Sequence, residues 1–362
     1  MSKKILFIVP YPFDKAPSQR LKFEQYYSAM EQAGYQVETS SFISERFWKI
    51  IYSKGNFIPK VFYTLAGYLR RIGDLFRIRK YDVIYVHLWI TPFGFPVFEW
   101  IFSLLARKMV YDIDDLIYLG TDVGANKLIH ALKGRTKPPF LIRKSDHVIV
   151  CTPKLEEYAL QFNSAVTDIS STINTDSYQP VNAYEGTTNL TLGWSGSLST
   201  SKYLHLLDTV LGKLSQLENI KLLVIGDKDF KMEGVNLEAI EWKSETEVEN
   251  LQRIDIGLYP LPDEEWVYGK SGLKALQYMA LGIPTVATGI GANFRIIENG
   301  QTGFLVNSEE EWINAIQQLI QNPALRESVG KSARNFVEEN YSIRANTPTY
   351  LGILEDVLSD NG

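Results

Sequence analysis

Short apolar runs of strand length recur along the chain, and a helical stretch separates each from the next. Lys4 to Val9, Gln36 to Phe42, Asp82 to His87, Met109 to Ile113 and Asp146 to Cys151 make a first series. Strands that alternate with helices argue for a parallel sheet covered by crossover helices. The pattern falters over the polar stretch Asn174–Asn189, which contains Pro180 and Gly186, and then restarts. Leu190–Ser195, Ile220–Gly226, Leu237–Trp242, Ile254–Pro260 and Ile283–Ala287 make the second series. The expected class is therefore α/β, with two open parallel-sheet units, and a length of 362 residues suits two domains. Their expected extents are 1–182 and 183–341, with a terminal helix over 342–362 packing back toward the first. Open sheets of this kind bind ligands at the carboxyl ends of their strands, so a cleft between the units is the expected place for function.

Local signals punctuate the helices. Ser18 is a candidate N-cap for a helix carrying Leu21, Phe23, Tyr26, Tyr27 and Met30, and Gly34 is its natural terminator. A helix is expected over Thr200–Leu217 and another over Gly272–Leu281. Ser244 with Glu247 and Ser308 with Glu311 have capping-box spacing, and Asn322-Pro323 opens a further helix.

Composition removes several classes. The single cysteine, Cys151, cannot form an internal disulfide, which suits a reducing compartment. One Cys and four His argue against a structural zinc site, and no metal is expected. The apolar run Ile5–Val9 is too short for a signal peptide, and prolines and a glutamate interrupt Leu88–Ala106, so no spanning helix is expected. The net charge of −5 conceals an asymmetry: 1–170 carries 23 basic against 16 acidic residues, and the remainder 14 against 26. Such a split points to different partners for the two halves.

Two segments of the second series carry chemistry. Gly193 to Lys202 (Gly-Trp-Ser-Gly-Ser-Leu-Ser-Thr-Ser-Lys) follows a strand and opens a helix, where free N–H groups, the helix dipole and Lys202 suit a phosphate. Read alone, it is equally an ordinary strand-to-helix turn. Tyr268 to Pro284 (Tyr-Gly-Lys-Ser-Gly-Leu-Lys-Ala-Leu-Gln-Tyr-Met-Ala-Leu-Gly-Ile-Pro) is more particular. Gly269, Lys270, Ser271 and Gly272 open a helix, and Lys270, Lys274 and Gln277 follow at helical spacing. This is not a Walker loop.

The segment Gly272–Pro284 resembles the family-4 glycosyltransferase signature, usually Glu-Gly-Phe-Gly-x-x-x-x-Glu-Ala-Met-Ala-x-Gly-x-Pro. The opening Ile-Val-Pro-Tyr-Pro, Val-Ile-Val-Cys-Thr-Pro at 148–153 and Asn299 to Val306 support the resemblance. It implies the GT-B fold, two Rossmann-like domains with a cleft between them, and retaining, metal-independent sugar transfer from a nucleotide donor without a cofactor. The departures are specific. The two signature glutamates fall on Gly269 and Gln277; the Gly-Arg-x-x-x-x-Lys diphosphate clamp falls on Gly196, Ser197 and Lys202, so the arginine is absent. Lys270 and Lys274 are candidates to replace its charge, and Gln277 to bond ribose hydroxyls. By resemblance, Trp242 lies where the family holds the base.

In the first series, Val110 to Asp115 ends on three carboxylates. The resemblance places sugar-facing residues at Asp114 and Asp115, and His87 ends a neighbouring strand. Carboxylates there would bond sugar hydroxyls or act as base, and a helix N-cap cluster is the structural alternative. Arg46–Lys80 holds nine Lys and Arg against one acid, Asp74, interleaved with aromatics. That composition suits an anionic membrane surface, with Trp48, Arg70, Arg71, Arg77 and Arg79 as membrane-facing residues; nucleic acid is not expected as a partner. The expectation is a cytoplasmic enzyme, peripheral on the inner face of the membrane. It would pass sugar from a nucleotide-sugar donor to a glycan or lipid-linked acceptor in surface-polysaccharide assembly. A non-catalytic GT-B binding subunit is the alternative, because both glutamates and the clamp arginine are missing.

Overall fold

The computed structural model describes residues 2–53, 55–116, 134, 136–180 and 189–359. The chain divides into two units, Met1–Ser171 with Asn346–Gly362, and Thr172–Ala345. The boundary expected at 182 lies within 181–188, outside the described residues.

The first unit is a parallel sheet of β1 (Lys3–Val9), β2 (Tyr35–Ser41), β3 (Val83–His87), β4 (Met109–Asp112), β5 (His147–Val150) and β6 (Val166–Asp168). Their spatial order is β2-β1-β3-β4-β5-β6. Registers such as Phe7 opposite Tyr85 and His87 opposite Asp112 align the carboxyl ends of the central strands. Ile5 to Val9 and all of β3 are buried, as strands covered on both faces require. The α-helices between β1 and β4 are α1 (Pro17–Arg20), α2 (Tyr27–Gln32), α3 (Glu45–Ile51), α4 (Phe57–Arg77) and α5 (Val97–Leu105).

The second unit repeats the plan with β7 (Leu190–Ser195), β8 (Ile220–Ile225), β9 (Leu237–Ile240), β10 (Ile256–Tyr259), β11 (Thr285–Thr288) and β12 (Phe304–Val306). Their order is β12-β11-β10-β7-β8-β9, all pairs parallel. The terminal helix Ile343–Ser359 carries its last residues into the first unit, where Tyr350 packs on Tyr26 with ring centroids 4.3 Å apart.

Helix starts follow the sequence signals unevenly. The Ser308–Glu311 box is closed in both directions, and Asn322 caps Pro323–Asn340 through Leu325 N–H. Gly34, at φ +91°, follows α2. The single helix expected from Ser18 is instead three short pieces, with Ala16 rather than Ser18 at the first cap and Pro17 opening the turn. The stretch after Thr200 begins as a 3-10 helix, Ser201–Leu207, and becomes α-helical only over Asp208–Leu217. The Ser244–Glu247 box does not form, because the Glu247 carboxylate is drawn into the interior.

Candidate functional site

In the second unit, β7 delivers the chain to Gly196, whose N–H donates to Ile225 O at 3.0 Å. The Gly196 carbonyl lies against Gly226 so closely that a Cβ there would come within 1.8 Å of its oxygen. Gly226, at φ +120°, is the residue that permits this approach. Ser197 N–H donates to Thr200 Oγ1 at 3.1 Å, and Thr200 and Ser201 N–H both donate to Ser197 O. The N–H groups of Gly196, Ser197, Thr200 and Ser201 are thus committed within the unit, and the Gly193–Lys202 loop, expected to offer free N–H groups, does not offer these four. What the loop presents outward is Lys202, exposed, with its ammonium 4.9 Å from the Tyr203 ring centre.

A second loop approaches the same place. The Trp266 ring lies 5.3 Å from that of Tyr203, and Lys270 Nζ sits 5.6 Å from the Trp266 ring. Two aromatic rings in contact thus carry one lysine each, from the 196–202 turn and from the 265–270 turn. Cations over aromatic faces are favourable, and the pair holds positive charge from both loops at one surface. Gly269 is buried and Ser271 half-buried. Gly272 caps the helix Leu273–Ala280 at φ +74°, with Ile296 where a Cβ would project.

Gln277 lies inside that helix and is buried. Its amide donates to the Tyr178 hydroxyl at 2.8 Å and to Glu247 Oε1 at 3.1 Å. Tyr178 O–H donates to Glu247 Oε2 at 3.0 Å, and the Trp242 indole N–H to Glu247 Oε1 at 3.0 Å. Lys274 Nζ stands 3.4 Å from Gln277 Oε1. Glu247 and Tyr178 therefore belong to this cluster, although spacing offered no hint of them. Trp242 packs on the core with its N–H committed, and Gln277 has its amide turned inward.

In the first unit, the ends of β3 and β4 bring a charged group together. Asp112 forms a fully buried ion pair with Lys22 and accepts from the Tyr85 hydroxyl at 2.8 Å. His87 Nδ1 lies 3.2 Å from the other side of the same carboxylate. Burial pushes the Asp112 carboxyl up, but Lys22 and His87 outweigh it and hold it below the usual carboxylate range. Burial likewise pulls Lys22 down, and Asp112 reverses this, leaving Lys22 above its ordinary value. His87 Nε2 is buried with no hydrogen-bond partner among the described residues and lies 4.0 Å from Asp114 Oδ1. Burial raises the Asp114 carboxyl despite His87 and Lys22. Asp115 Oδ1 accepts from Leu116 N–H at 2.8 Å, one residue on. The Asp114 side chain bonds no helix N–H among the described residues, whereas 117–133 lie outside them.

The membrane-facing set needs correction. Arg71 is wholly buried: its guanidinium donates to Ile90 O, Val9 O, Ser40 and Asp74, and burial pulls it down to about 10. Arg77 pairs with Asp74 and Glu38, and Arg70 reaches back to the carbonyls of Ser41 and Phe42. Trp48 is half-buried against Tyr11 and Tyr52. Of the five, Arg79 alone is exposed with no bond described. The basic residue Lys54 lies outside the described residues.

Comparison with known proteins gives this arrangement its context. Residues 189–322 match the family described as Glycosyl transferases group 1. The match lies within the second unit. CapM of Staphylococcus aureus, a capsular polysaccharide biosynthesis glycosyltransferase, is 26% identical over 168 residues, 42% of this chain and 43% of CapM. The chain thus aligns with under half the length of that relative. A D-inositol 3-phosphate glycosyltransferase of Paenarthrobacter aurescens is 38% identical over 69 residues, 18% of this chain and 17% of its own. Among solved structures, Anabaena HepE in complex with UDP-glucose superposes with TM-score 0.70 at 15% identity, covering 98% of this chain and 99% of HepE. The sucrose-phosphate synthase of Thermosynechococcus elongatus gives 0.68 at 17%, covering 99% of both. The fold is GT-B.

Within the second unit, the departures from the signature have a structural reading. A glutamate at 277 would set two carboxylates about 3 Å apart, since Glu247 already occupies the amide's neighbourhood. Glutamine removes that repulsion and donates instead. Ser197 stands where the clamp arginine is expected, and its hydroxyl bonds Ser199 and Thr200 at 2.9 and 3.1 Å. Lys270 lies over Trp266, the ring that touches Tyr203, which carries Lys202.

Proposed function

We propose that the protein is a retaining, metal-independent glycosyltransferase that takes sugar from a nucleotide-sugar donor for cell-surface glycan assembly. The observation that carries the donor reading is the Lys202–Tyr203–Trp266–Lys270 stack. Two cations from two loops of the second unit meet a diphosphate as point charges and supply what the missing arginine would have given. Lys274, in the first turn of the helix Leu273–Ala280, adds a third charge. As the donor bond lengthens, charge gathers on the departing diphosphate, and fixed cations stabilise it more than the intact donor.

Asp114, Asp115 and His87 of the first unit are the groups assigned to the sugar and acceptor. The Lys22–Asp112–Tyr85 arrangement fixes the His87 ring, so His87 Nε2 keeps one orientation toward Asp114. A carboxyl raised by burial is suited to hold or take a proton from an acceptor hydroxyl. The relationship to CapM supports a polysaccharide product, and the UDP-glucose of HepE makes uridine-diphosphate sugars the first donors to try. A lipid-linked acceptor at the inner membrane face completes the reading. A nucleotide-sugar panel, scored by thermal shift and then by release of free nucleotide, tests it. A donor that stabilises the protein and is consumed supports the enzyme, whereas stabilisation without nucleotide release would leave the binding-subunit alternative.

A further inference from the structure

We propose that α4 and α5 form a lipid-docking face that rests on an anionic bilayer through apolar side chains, with the arginines of α4 serving the interior. The inference deepens the membrane part of the reading above, and its evidence is separate from the donor site.

Both helices bury charged side chains. On α4, Gly67, Arg71 and Asp74 are buried, and Arg71 ties the helix to β1 and β2. The opposite side carries Ile58, Val61, Leu65, Leu69, Ile72 and Phe76, all exposed, from 42% at Ile72 to 85% at Phe76. Steps of three and four place these six on one continuous stripe along 21 residues. Neighbouring α5 repeats the pattern. Glu99 is buried against Lys137 at 3.1 Å, while Val97, Trp100 and Leu104, again three and four apart, are exposed. The Tyr68–Phe98 ring contact, at 5.7 Å, holds the two helices side by side.

A helix facing water keeps apolar residues off its outer side, so exposed apolar stripes on two adjacent helices specify an apolar neighbour. The surrounding charge identifies it. From 46 to 81 the one acid is Asp74, which is buried, while Arg46, Lys49, Arg79 and Lys80 are exposed. A second copy of the chain would bring that cationic rim against itself. An anionic lipid surface complements it, because basic groups close to such a surface are attracted to it. No described helix is long and apolar enough to cross a membrane, so α4 would lie in the interface plane.

Vesicle co-sedimentation of the full chain tests the proposal. Wild type should sediment with vesicles of phosphatidylglycerol and phosphatidylcholine in equal parts, and less with phosphatidylcholine alone. Replacing Ile58, Leu65, Leu69 and Phe76 together by serine should weaken binding roughly tenfold or more. Because these side chains are exposed, the melting temperature and uridine-diphosphate affinity should not change. Arg79→Glu with Lys80→Glu should remove the preference for anionic lipid. The proposal is overturned if wild type sediments with neither vesicle, or if the serine variant binds as wild type does. It is equally overturned if wild type is a dimer that the serine changes dissociate, without vesicle binding. Loss of nucleotide binding in wild type would instead count against the transferase reading and leave this one standing.

Discussion

Lys22→Met isolates the most heavily charged point of the first unit. Methionine keeps the length of the side chain and deletes the ammonium. Asp112, with no exposure, then retains only the Tyr85 hydroxyl at 2.8 Å and His87 at 3.2 Å. Breaking a buried pair from one side costs about 3–5 kcal/mol. The two remaining bonds, worth about 1 kcal/mol each, place the expected cost near the lower end, about 3 kcal/mol. For a unit of this size that is roughly 6–12 °C in its melting transition. Scanning calorimetry reads it, because each unit can show its own transition. Adding Asp112→Asn removes the stranded charge, so the double variant should recover most of the loss. The pH dependence follows from the two shifts. Asp112 is held below its ordinary value, so its contribution is present above about pH 4 and lost as pH falls through the lowered value. Lys22 is held above its own, so its contribution persists to about pH 10.5 and is lost as pH rises through the raised value. On the acid side the gap should begin to narrow once the stranded Asp112 of the variant, pushed up by burial, takes a proton, and on the alkaline side it should narrow as pH rises through the raised Lys22 value. A cost under about 1 kcal/mol, as exposed pairs give, would refute the reasoning.

Two further substitutions address the site. Gln277→Glu should destabilise the second unit by about 1–3 kcal/mol at neutral pH, by placing a second carboxylate beside Glu247, with the deficit shrinking below about pH 5 as one of the pair takes a proton; equal stability at neutral pH would contradict the account of the missing glutamate. Asp114→Asn should reduce turnover by about a hundredfold or more while leaving the melting temperature unchanged or higher, because burial already opposes its charge; a large fall in melting temperature with turnover intact would make Asp114 structural.

The two sheets were legible because strands covered on both faces must read as unbroken apolar runs, as Ile5–Val9 and Val83–His87 do. Capping was legible where nothing competed. Ser308 and Glu311 close their box in solvent, whereas Glu247, with the same spacing, finds Tyr178, Trp242 and Gln277 and turns inward. The site was legible only in its loops. Lys22 and Asp112 are 90 residues apart, and no local pattern pairs them. The arginines of α4 misled for a related reason: composition counts charges without saying which side of a helix faces the sheet. Ile58, Leu65, Leu69 and Phe76 stand at helical spacing, a signal that counting by composition passes over, and such spacing alone does not say whether core or lipid receives the stripe.

The second unit is proposed to hold a nucleoside diphosphate on the lysines of two loops joined by Tyr203 and Trp266. Titration calorimetry with uridine diphosphate on wild type, Lys202→Ala and Lys270→Ala tests it most directly. The account predicts binding by wild type, weakened by about 1–3 kcal/mol in each variant, roughly five- to 150-fold. Wild-type affinity in both variants would contradict it.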